Sequence, residues 1–237
     1  MRAEKLRISG IPSILWGEPS PCWIIAVHGN RSSKIDDCIW ILAEEAAARG
    51  YQVLSFDLPC HGERVYEQGP CMVWTYLEEL ETIWQYAEQR AEEISLFGCS
   101  MGAYFGLLAC RDKPVRHTWF LSPVVDMERM IDGIMEMTGT TAEELREKRV
   151  IENPVETLYW DYYCYVKEHP VQIWNSPTSI LRGEHDTLVP YESVSAFAER
   201  FGCALEEQAG GEHWFHTEGQ LAYYRRWLRK EMEEERP

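Results

Sequence analysis

Residues 94–106 decide the fold, and they read ISLFGCSMGAYFG. The stretch opens with an apolar run typical of a buried strand and closes with small and apolar residues at helical spacing. A chain that leaves a strand and enters a helix within two residues turns so sharply that the residue at the turn, Ser100, takes a strained backbone. Gly98 and Gly102 remove the side chains that would collide. We therefore expect the Ser100 hydroxyl at the tip of the turn, beside a helix N-terminus that favours negative charge.

The pattern Gly98-x-Ser100-x-Gly102, with a strand before it and a helix after it, resembles the nucleophile elbow of the α/β-hydrolase family. An ordinary Gly-rich strand–helix loop with a serine N-cap is the alternative. The resemblance covers nearly the whole chain. It implies an α/β protein with the α/β-hydrolase fold, a mostly parallel central sheet of about eight strands flanked by helices, with an inserted helical cap. It also implies a triad in the order Ser, then Asp or Glu, then His, and an oxyanion hole of two backbone amides.

Two later segments resemble the parts of the family pattern that carry the acid and the base. Residues 183–190, GEHDTLVP, are similar to the family's Gly-x-x-Asp-x-x-Val-Pro turn and place Asp186 beyond a predicted strand, with Glu184 as the alternative acid. His213 follows a Gly-rich turn after the last predicted strand, where the family keeps its base, and His216 is the alternative. The resemblance therefore assigns the acid to Asp186 and the base to His213.

The chemistry explains why these residue types belong together. A serine hydroxyl is a poor nucleophile at neutral pH and needs a base within hydrogen-bond reach. His213 is expected to take the Ser100 proton and later return it to the leaving group, while Asp186 holds the imidazole in the useful tautomer. All three lie beyond the carboxyl ends of predicted strands, the rim where open α/β sheets bind ligands.

The candidate oxyanion hole follows a second apolar run, CWIIAV, at residues 22–27, which predicts a strand buried on both faces. This run ends in His28-Gly29-Asn30, where the family places its His-Gly loop. The resemblance implies that Asn30 supplies one oxyanion amide and that Met101, directly after the nucleophile, supplies the other. Gly29 allows the main chain to approach the acyl oxygen. A simple glycine turn after a strand is the alternative.

Residues 126–174 predict a helical cap, because roughly fifty residues between two core strands are too many for a loop in a compact domain. Residues 1–125 and 175–237 then form the core. The cap is rich in Met and aromatic residues, which favours an apolar pocket for an acyl or aromatic group. Packing of these side chains onto the core is the alternative. The predicted substrate-binding residues are His28, Gly29, Cys99, Trp160, Tyr163 and Trp214.

Residues 57–63, DLPCHGE, resemble the family's Asp-x-Pro-Gly-His-Gly loop, but Cys60 stands where the family has glycine. Asp57 is expected to brace this loop through backbone hydrogen bonds. His61 is interpreted as a structural loop residue rather than as a base.

Two cations follow the candidate oxyanion loop, namely Arg31 and Lys34. We expect them to pair with Asp36 or Asp37, and contact with an anionic substrate group is the alternative.

Periodicity and capping signals predict an edge hairpin at 5–16 and flanking helices that include 36–49, capped by Gly50, and 217–236. In the cap, the spacing of Thr140 and Glu143 predicts a capping box.

Length and charge limit the classes of function. The chain has 237 residues, which favours one domain. A formal charge of −16 without a Lys/Arg-rich run argues against a nucleic-acid or membrane partner. The eight cysteines show no C-x-x-C spacing and the first residues lack the apolar core of a signal peptide, which predicts a cytoplasmic protein with reduced thiols. A secreted, disulfide-bonded protein is the alternative. No metal-ligand cluster or dinucleotide motif suggests a cofactor. The sequence leaves open whether the protein forms a homodimer.

These patterns together predict a carboxylesterase-type serine hydrolase. Its expected partner is a small-molecule ester with an apolar or aromatic acyl group, cleaved through an acyl-enzyme intermediate. The same triad suits a peptidase or a thioesterase, and a non-catalytic ligand-binding protein with this fold is the third alternative.

Overall fold

Alternating strands and helices make up the chain, which this computed structural model describes over residues 1–67, 69 and 71–234. The strands are β1 (Ala3–Ile8), β2 (Ile11–Trp16), β3 (Cys22–Val27), β4 (Gln52–Phe56), β5 (Glu93–Cys99), β6 (Val115–Leu121), β7 (Val150–Ile151), β8 (Leu158–Tyr159), β9 (Thr178–Gly183) and β10 (Ala204–Gln208). The helices are α1 (Asp37–Ala47), α2 (Val73–Glu88), α3 (Met101–Cys110), α4 (Met127–Thr138), α5 (Ala142–Lys148), α6 (Trp160–Glu168), α7 (Tyr191–Phe201) and α8 (Glu218–Glu234).

Eight of these strands form one sheet in the order β1-β2-β4-β3-β5-β6-β9-β10. The predicted hairpin β1–β2 lies at one edge, and β2 pairs antiparallel with both β1 and β4. From β4 to β10 every neighbouring pair is parallel. The fold class predicted from the sequence is confirmed.

The sheet is buried on both faces, and β3 shows why its sequence is continuously apolar. Ile25 and Val27 belong to the hydrophobic cluster under α2 and α3, whereas Ile24 and Ala26 belong to the cluster under α1 and α8. Successive side chains of a strand point to opposite faces, so a strand covered on both sides has no polar face.

Ion pairs as well as apolar packing hold helix α8 against α1. The buried carboxylate of Glu45 accepts hydrogen bonds from Arg49, Arg225 and Arg229. Burial alone would raise the pKa of Glu45, but these three guanidinium groups hold it below its usual value. Residues 235 and 236 of the predicted terminal helix lie outside the described residues.

Between β6 and β9 the chain forms α4, α5 and α6 together with the two-stranded sheet of β7 and β8. The segment was expected to be helical throughout, so this small hairpin is an addition. The capping box is formed by Thr141 and Glu144 instead of Thr140 and Glu143, because α5 begins one residue later than expected. The division of the chain into core and cap stays a prediction.

Helix α1 ends earlier than its sequence suggests. Its last α-helical residue is Ala47, and the N–H of Ala48 bonds to helical carbonyls. Gly50 has a φ of 87°, and the N–H groups of Gly50 and Tyr51 donate to the carbonyls of Ala47 and Ala46, at 3.3 and 3.1 Å. This is the hydrogen-bond pattern of a helix that ends at a glycine, so the prediction that Gly50 caps α1 is confirmed.

A disulfide joins Cys60 to Cys71. The prediction that all thiols are reduced is wrong for this pair, which had no recognisable spacing in the sequence. Cys60 has a φ of 62°, in the left-handed region that favours glycine, which explains the glycine at this position of the family pattern. The free cysteines are Cys22, Cys38, Cys99, Cys110, Cys164 and Cys203.

None of the helices in the described part of the chain combines the length and the apolar character needed to cross a bilayer.

Two glycines in helices give a matched test of the packing at the elbow. A Cβ on Gly102 would lie 2.4 Å from the carbonyl oxygen of His28 and 2.5 Å from that of Val27, whereas a Cβ on Gly133 in α4 meets nothing within 4 Å. We expect Gly102→Ala to lower the free energy of unfolding by about 3 kcal/mol or more, because backbone must move. Gly133→Ala is expected to raise it by up to about 1 kcal/mol through helix propensity. Urea titration of both variants measures the two changes, and equal effects would contradict this account.

Candidate active site

The turn between β5 and α3 has the geometry expected of an elbow. Ser100 has φ 51° and ψ −122°, a conformation that residues other than glycine rarely adopt. Its backbone is held on both sides, since its N–H donates to the Leu121 carbonyl at 3.0 Å and its own carbonyl accepts from Val124 at 3.0 Å. A Cβ on Gly98 would lie 2.6 Å from the Cα of Ala103, so the strand and the helix approach too closely for a side chain there.

Three side chains from distant parts of the chain meet at this turn in one hydrogen-bonded series. The Ser100 Oγ lies 2.8 Å from His213 Nε2, and His213 Nδ1 lies 2.7 Å from Asp186 Oδ2. The Asp186 side chain is 1% exposed, and its Oδ1 accepts from the backbone N–H groups of Leu188 and Val189. The carboxylate is therefore fixed from both sides, and it fixes the ring in turn.

The alternative acid and base lie elsewhere. Glu184 accepts a hydrogen bond from the Gly210 backbone at 2.7 Å, and so braces the turn before His213. His216 Nδ1 lies 2.8 Å from the Trp214 carbonyl, and the two rings stack. The structure thus brings Asp186 and His213 to the serine and leaves Glu184 and His216 outside this series.

His28 is an anchor of the main chain and not a residue of the cavity wall. It is fully buried, and the Leu58 N–H donates to its Nε2 at 3.1 Å. Its Nδ1 therefore carries the proton and donates to the Gly29 carbonyl at 2.7 Å. Desolvation lowers the pKa of His28 to about 4, so the ring is neutral at pH 7. This neutral ring joins the loop after β3 to the loop after β4.

Gly29 packs directly beneath the serine. A Cβ at this position would lie 3.2 Å from Ser100 Cβ and 3.3 Å from the Cys99 carbonyl, so a side chain would press the two loops apart. The next residue, Asn30, lines the same cavity as Ser100 and Met101. Because Met101 is the first residue of α3, no helical carbonyl precedes it to accept its N–H.

A cavity of about 670 Å³ opens at the serine. Two aromatic residues of the β8–α6 segment, Tyr159 and Tyr162, line it, with Tyr76 from α2. Burial raises the pKa of Tyr76 and of Tyr162 well above the usual value, so both phenols stay protonated and can donate hydrogen bonds. The apolar lining residues from α4 and β8 are Met127, Met130, Ile131, Ile134 and Leu158.

The predicted aromatic contacts are displaced by one residue. Tyr159, the last residue of β8, and Tyr162, in the first turn of α6, line the cavity. Trp160 and Tyr163, which are three apart on α6, share another face of the helix and contact each other. Tyr163 donates instead to Asp132 at 2.7 Å.

The other predicted substrate-binding residues also do not line the cavity. Trp214 is 69% exposed beyond His213. Cys99 is the last residue of β5. Gly29 and His28 lie behind the serine and do not line the cavity. Sequence reasoning missed Tyr76 and Glu156 as lining residues, because nothing in a helix or hairpin sequence shows which cavity it borders. The methionine-rich stripe of the cap, which includes Met127, lines the cavity as expected.

Asp57 braces the loop after β4, as predicted. Its carboxylate accepts from the backbone N–H groups of Lys34 and Glu63, at 2.9 and 3.0 Å, and from the Lys34 ammonium. Burial would raise the pKa of Asp57, but these hydrogen bonds outweigh it and hold the pKa below its usual value.

The two cations near the oxyanion loop have other partners than Asp36 or Asp37. Lys34 is buried and pairs with the carboxylates of Asp57 and Glu63, which removes it from any substrate. Arg31 donates to the Val155 carbonyl at 2.7 Å, across to the segment between β7 and β8. The expected pairing with Asp36 or Asp37 is therefore wrong, and the Asp36 carboxylate accepts from the Ser32 hydroxyl instead.

The described residues contain no group of three or more His, Cys, Asp or Glu side chains that could hold a metal ion.

The family model described as the alpha/beta hydrolase family matches residues 24–225. This chain belongs to the α/β-hydrolase family. The match includes the elbow, Asp186 and His213, and it confirms the resemblance read from the motifs. Comparison with curated proteins by sequence gives no match.

Solved structures with the same fold include esterases and serine hydrolases. Est1E from Butyrivibrio proteoclasticus, with ferulic acid bound, has a TM-score of 0.77, 19% identity and 98% coverage of both chains. Alpha/beta hydrolase domain-containing protein 10 from mouse has a TM-score of 0.75 and 16% identity, covering 99% of both chains. XC6422 from Xanthomonas campestris, an α/β serine hydrolase without lid, has a TM-score of 0.69 and 16% identity, covering all of this chain and 96% of its own. At these identities the likeness establishes the fold.

The buried ring of His28 predicts acid sensitivity. Its pKa is about 4 in the folded state against 6.5 for an ordinary histidine, so the unfolded chain binds more protons between those values. Its contribution to stability is complete above pH 6.5 and falls as the pH falls toward 4, by about 1.4 kcal/mol per pH unit. We expect wild type to lose stability between pH 7.5 and 5.0, and His28→Gln to lose about 2 kcal/mol less over the same interval.

Urea titrations at the two pH values measure this difference. His117, whose pKa burial also lowers to about 4, stays in both proteins and provides an internal reference. Equal losses in wild type and His28→Gln would contradict the assignment.

Proposed function

We propose that this protein is a serine hydrolase that cleaves small esters with an apolar or aromatic acyl group through an acyl-enzyme intermediate. Ser100 is the nucleophile, His213 the general base and then the general acid, and Asp186 the residue that orients the ring. The observation that carries the proposal is the series of hydrogen bonds from Ser100 to His213 and Asp186, at 2.8 and 2.7 Å, beside an open cavity.

The proposed reaction begins when Ser100 Oγ attacks the acyl carbon and His213 Nε2 takes the hydroxyl proton. Asp186 stabilises the imidazolium that forms. The tetrahedral oxyanion is bound by the backbone N–H groups of Asn30 and Met101, each worth about 3 kcal/mol at the transition state. His213 then protonates the leaving alcohol, and a water molecule repeats the sequence on the acyl-enzyme.

The substrate class is proposed from the walls of the cavity. Methionine and branched aliphatic side chains from α4 offer an adaptable apolar surface, and Tyr76, Tyr159 and Tyr162 offer rings for stacking. Ferulic acid in Est1E, a protein of the same fold, is an aromatic acid, which supports aromatic acyl esters as test substrates.

The direct test measures turnover of p-nitrophenyl acetate and butyrate and of methyl ferulate, together with labelling by a fluorophosphonate probe. We expect turnover and labelling by wild type, and a loss of at least about a thousandfold in kcat in Ser100→Ala, because the remaining site lacks the nucleophile. His216→Gln, which changes the histidine outside the series, is the matched control and should keep its activity. Turnover that survives in Ser100→Ala would overturn the proposal.

The cavity walls predict acyl selectivity. Tyr162→Ala enlarges the cavity, so we expect kcat/KM for methyl ferulate to fall relative to p-nitrophenyl acetate by about tenfold, from lost ring contacts worth about 1 kcal/mol or more. Trp160→Ala, on the adjacent helix face, is the control and should change both substrates equally. A selectivity change in Trp160→Ala and none in Tyr162→Ala would show that the wall is misassigned.

A further inference from the structure

The segment between β7 and β8 reaches across the cavity and holds the loop that carries Asn30. Glu156 Oε2 accepts a hydrogen bond from Asn30 Nδ2 at 2.6 Å. One residue earlier, the Val155 carbonyl accepts from the Arg31 guanidinium at 2.7 Å. Two consecutive residues of one segment therefore bind two consecutive residues of the other, 124 and 126 positions apart in sequence.

The Asn30 carboxamide is held at its other end as well. Its Oδ1 accepts from the Arg31 backbone N–H at 2.9 Å and lies 3.1 Å from His61 Nε2. Because the amide nitrogen donates to Glu156 and the amide oxygen accepts from Arg31, both ends of the carboxamide have partners and its orientation is fixed. The side chain thereby restrains the backbone of its own residue.

The backbone that carries Glu156 is held in a turn. The side-chain oxygen of Asn153 accepts from the backbone N–H groups of Val155 and Glu156, at 2.9 and 3.0 Å, and so forms a tight turn. The same glutamate lines the cavity next to Asn30. The contact to Asn30 is therefore made from a backbone turn of defined shape.

Such a restraint acts on the peptide that joins Gly29 to Asn30, which carries the proposed oxyanion N–H. The carbonyl of this peptide accepts from His28 Nδ1 at 2.7 Å. The Asn30 side chain restrains the peptide from its other side, so the His28 ring and the Asn30 carboxamide together set the direction of the N–H. Donors to a developing oxyanion act through their preorganised position, so a small rotation weakens them.

We propose that Glu156 is a positioning residue for the oxyanion hole: through the Asn30 carboxamide it holds the Asn30 N–H toward the reacting carbonyl. This inference rests on the proposed function. It assigns to the β7–β8 segment a part in the chemical step, in addition to enclosing the substrate.

The experiment compares Glu156→Ala and Glu156→Gln with wild type on p-nitrophenyl butyrate. Glu156→Ala should lower kcat by about tenfold, a part of the hundredfold or more that a complete oxyanion donor supplies, with KM changed less than twofold. Glu156→Gln keeps an oxygen that can accept from Asn30 Nδ2 and should restore kcat to within about threefold of wild type. Glu152→Ala, an exposed glutamate of the same segment, is the matched control and should behave as wild type.

Two further measurements separate positioning from a loss of stability. A boronic acid that forms a tetrahedral adduct on the serine should bind Glu156→Ala about tenfold more weakly, in step with kcat, since it occupies the oxyanion hole. Asn30→Ala keeps the backbone amide but loses the carboxamide, so it should reproduce the Glu156→Ala defect, and the double variant should be no worse than either single variant.

Unchanged kcat in Glu156→Ala, a defect confined to KM or Tm, or additive losses in the double variant would overturn the positioning role while wild-type turnover still supports the proposed function. A wild type with no turnover and no fluorophosphonate labelling would instead overturn the proposed function, and the positioning role with it.

Discussion

The strained turn at Ser100 is the constraint on which the site depends. A strand and a helix meet at one residue in a left-handed conformation, and glycines on both sides let the backbones touch. The contact between Gly102 and the carbonyls of Val27 and His28 also places β3 and its following loop against the helix. One backbone geometry therefore sets where the hydroxyl stands and where the neighbouring loop can lie. The strain is compensated by the buried sheet, whose central strands cannot shift.

Polar groups without a direct role in the chemistry connect the loops around that turn. His28 accepts from the loop after β4 and donates to the loop after β3, and it does so as a neutral ring because it is fully buried. Asp57 and Lys34 form a second connection between the same loops. A third connection joins the loop after β3 to the segment between β7 and β8, through hydrogen bonds from Asn30 to Glu156 and from Arg31 to Val155. The proposed oxyanion loop is thus fixed on three sides, which suits a site whose donors must not reorganise during the reaction.

Local sequence was informative where backbone geometry demands particular residue types. The elbow glycines and the buried run of β3 could be predicted because sterics and burial leave few choices. The bracing by Asp57 was predicted from the resemblance of its loop to the family pattern and from the tendency of aspartate to bond nearby backbone N–H groups. Prediction failed where the outcome depends on contacts between distant segments. Trp160 and Tyr163 were expected at the cavity, yet Tyr159 and Tyr162 line it, because the orientation of β8 and α6 against the core is set by packing. Arg31 and Lys34 were assigned near neighbours, whereas their partners lie more than twenty residues away.

The sequence by itself predicted the fold and the elbow from steric and burial patterns, and it predicted the family and the candidate nucleophile, acid and base from the resemblance of short motifs. Tertiary structure alone decided that Cys60 and Cys71 are joined and which residues enclose the cavity, and it brought Ser100, His213 and Asp186 into one hydrogen-bonded series. The physical reason is the same in each case. A motif fixes the conformation of its own few residues, but the distance between two motifs follows only from how the sheet and its helices pack.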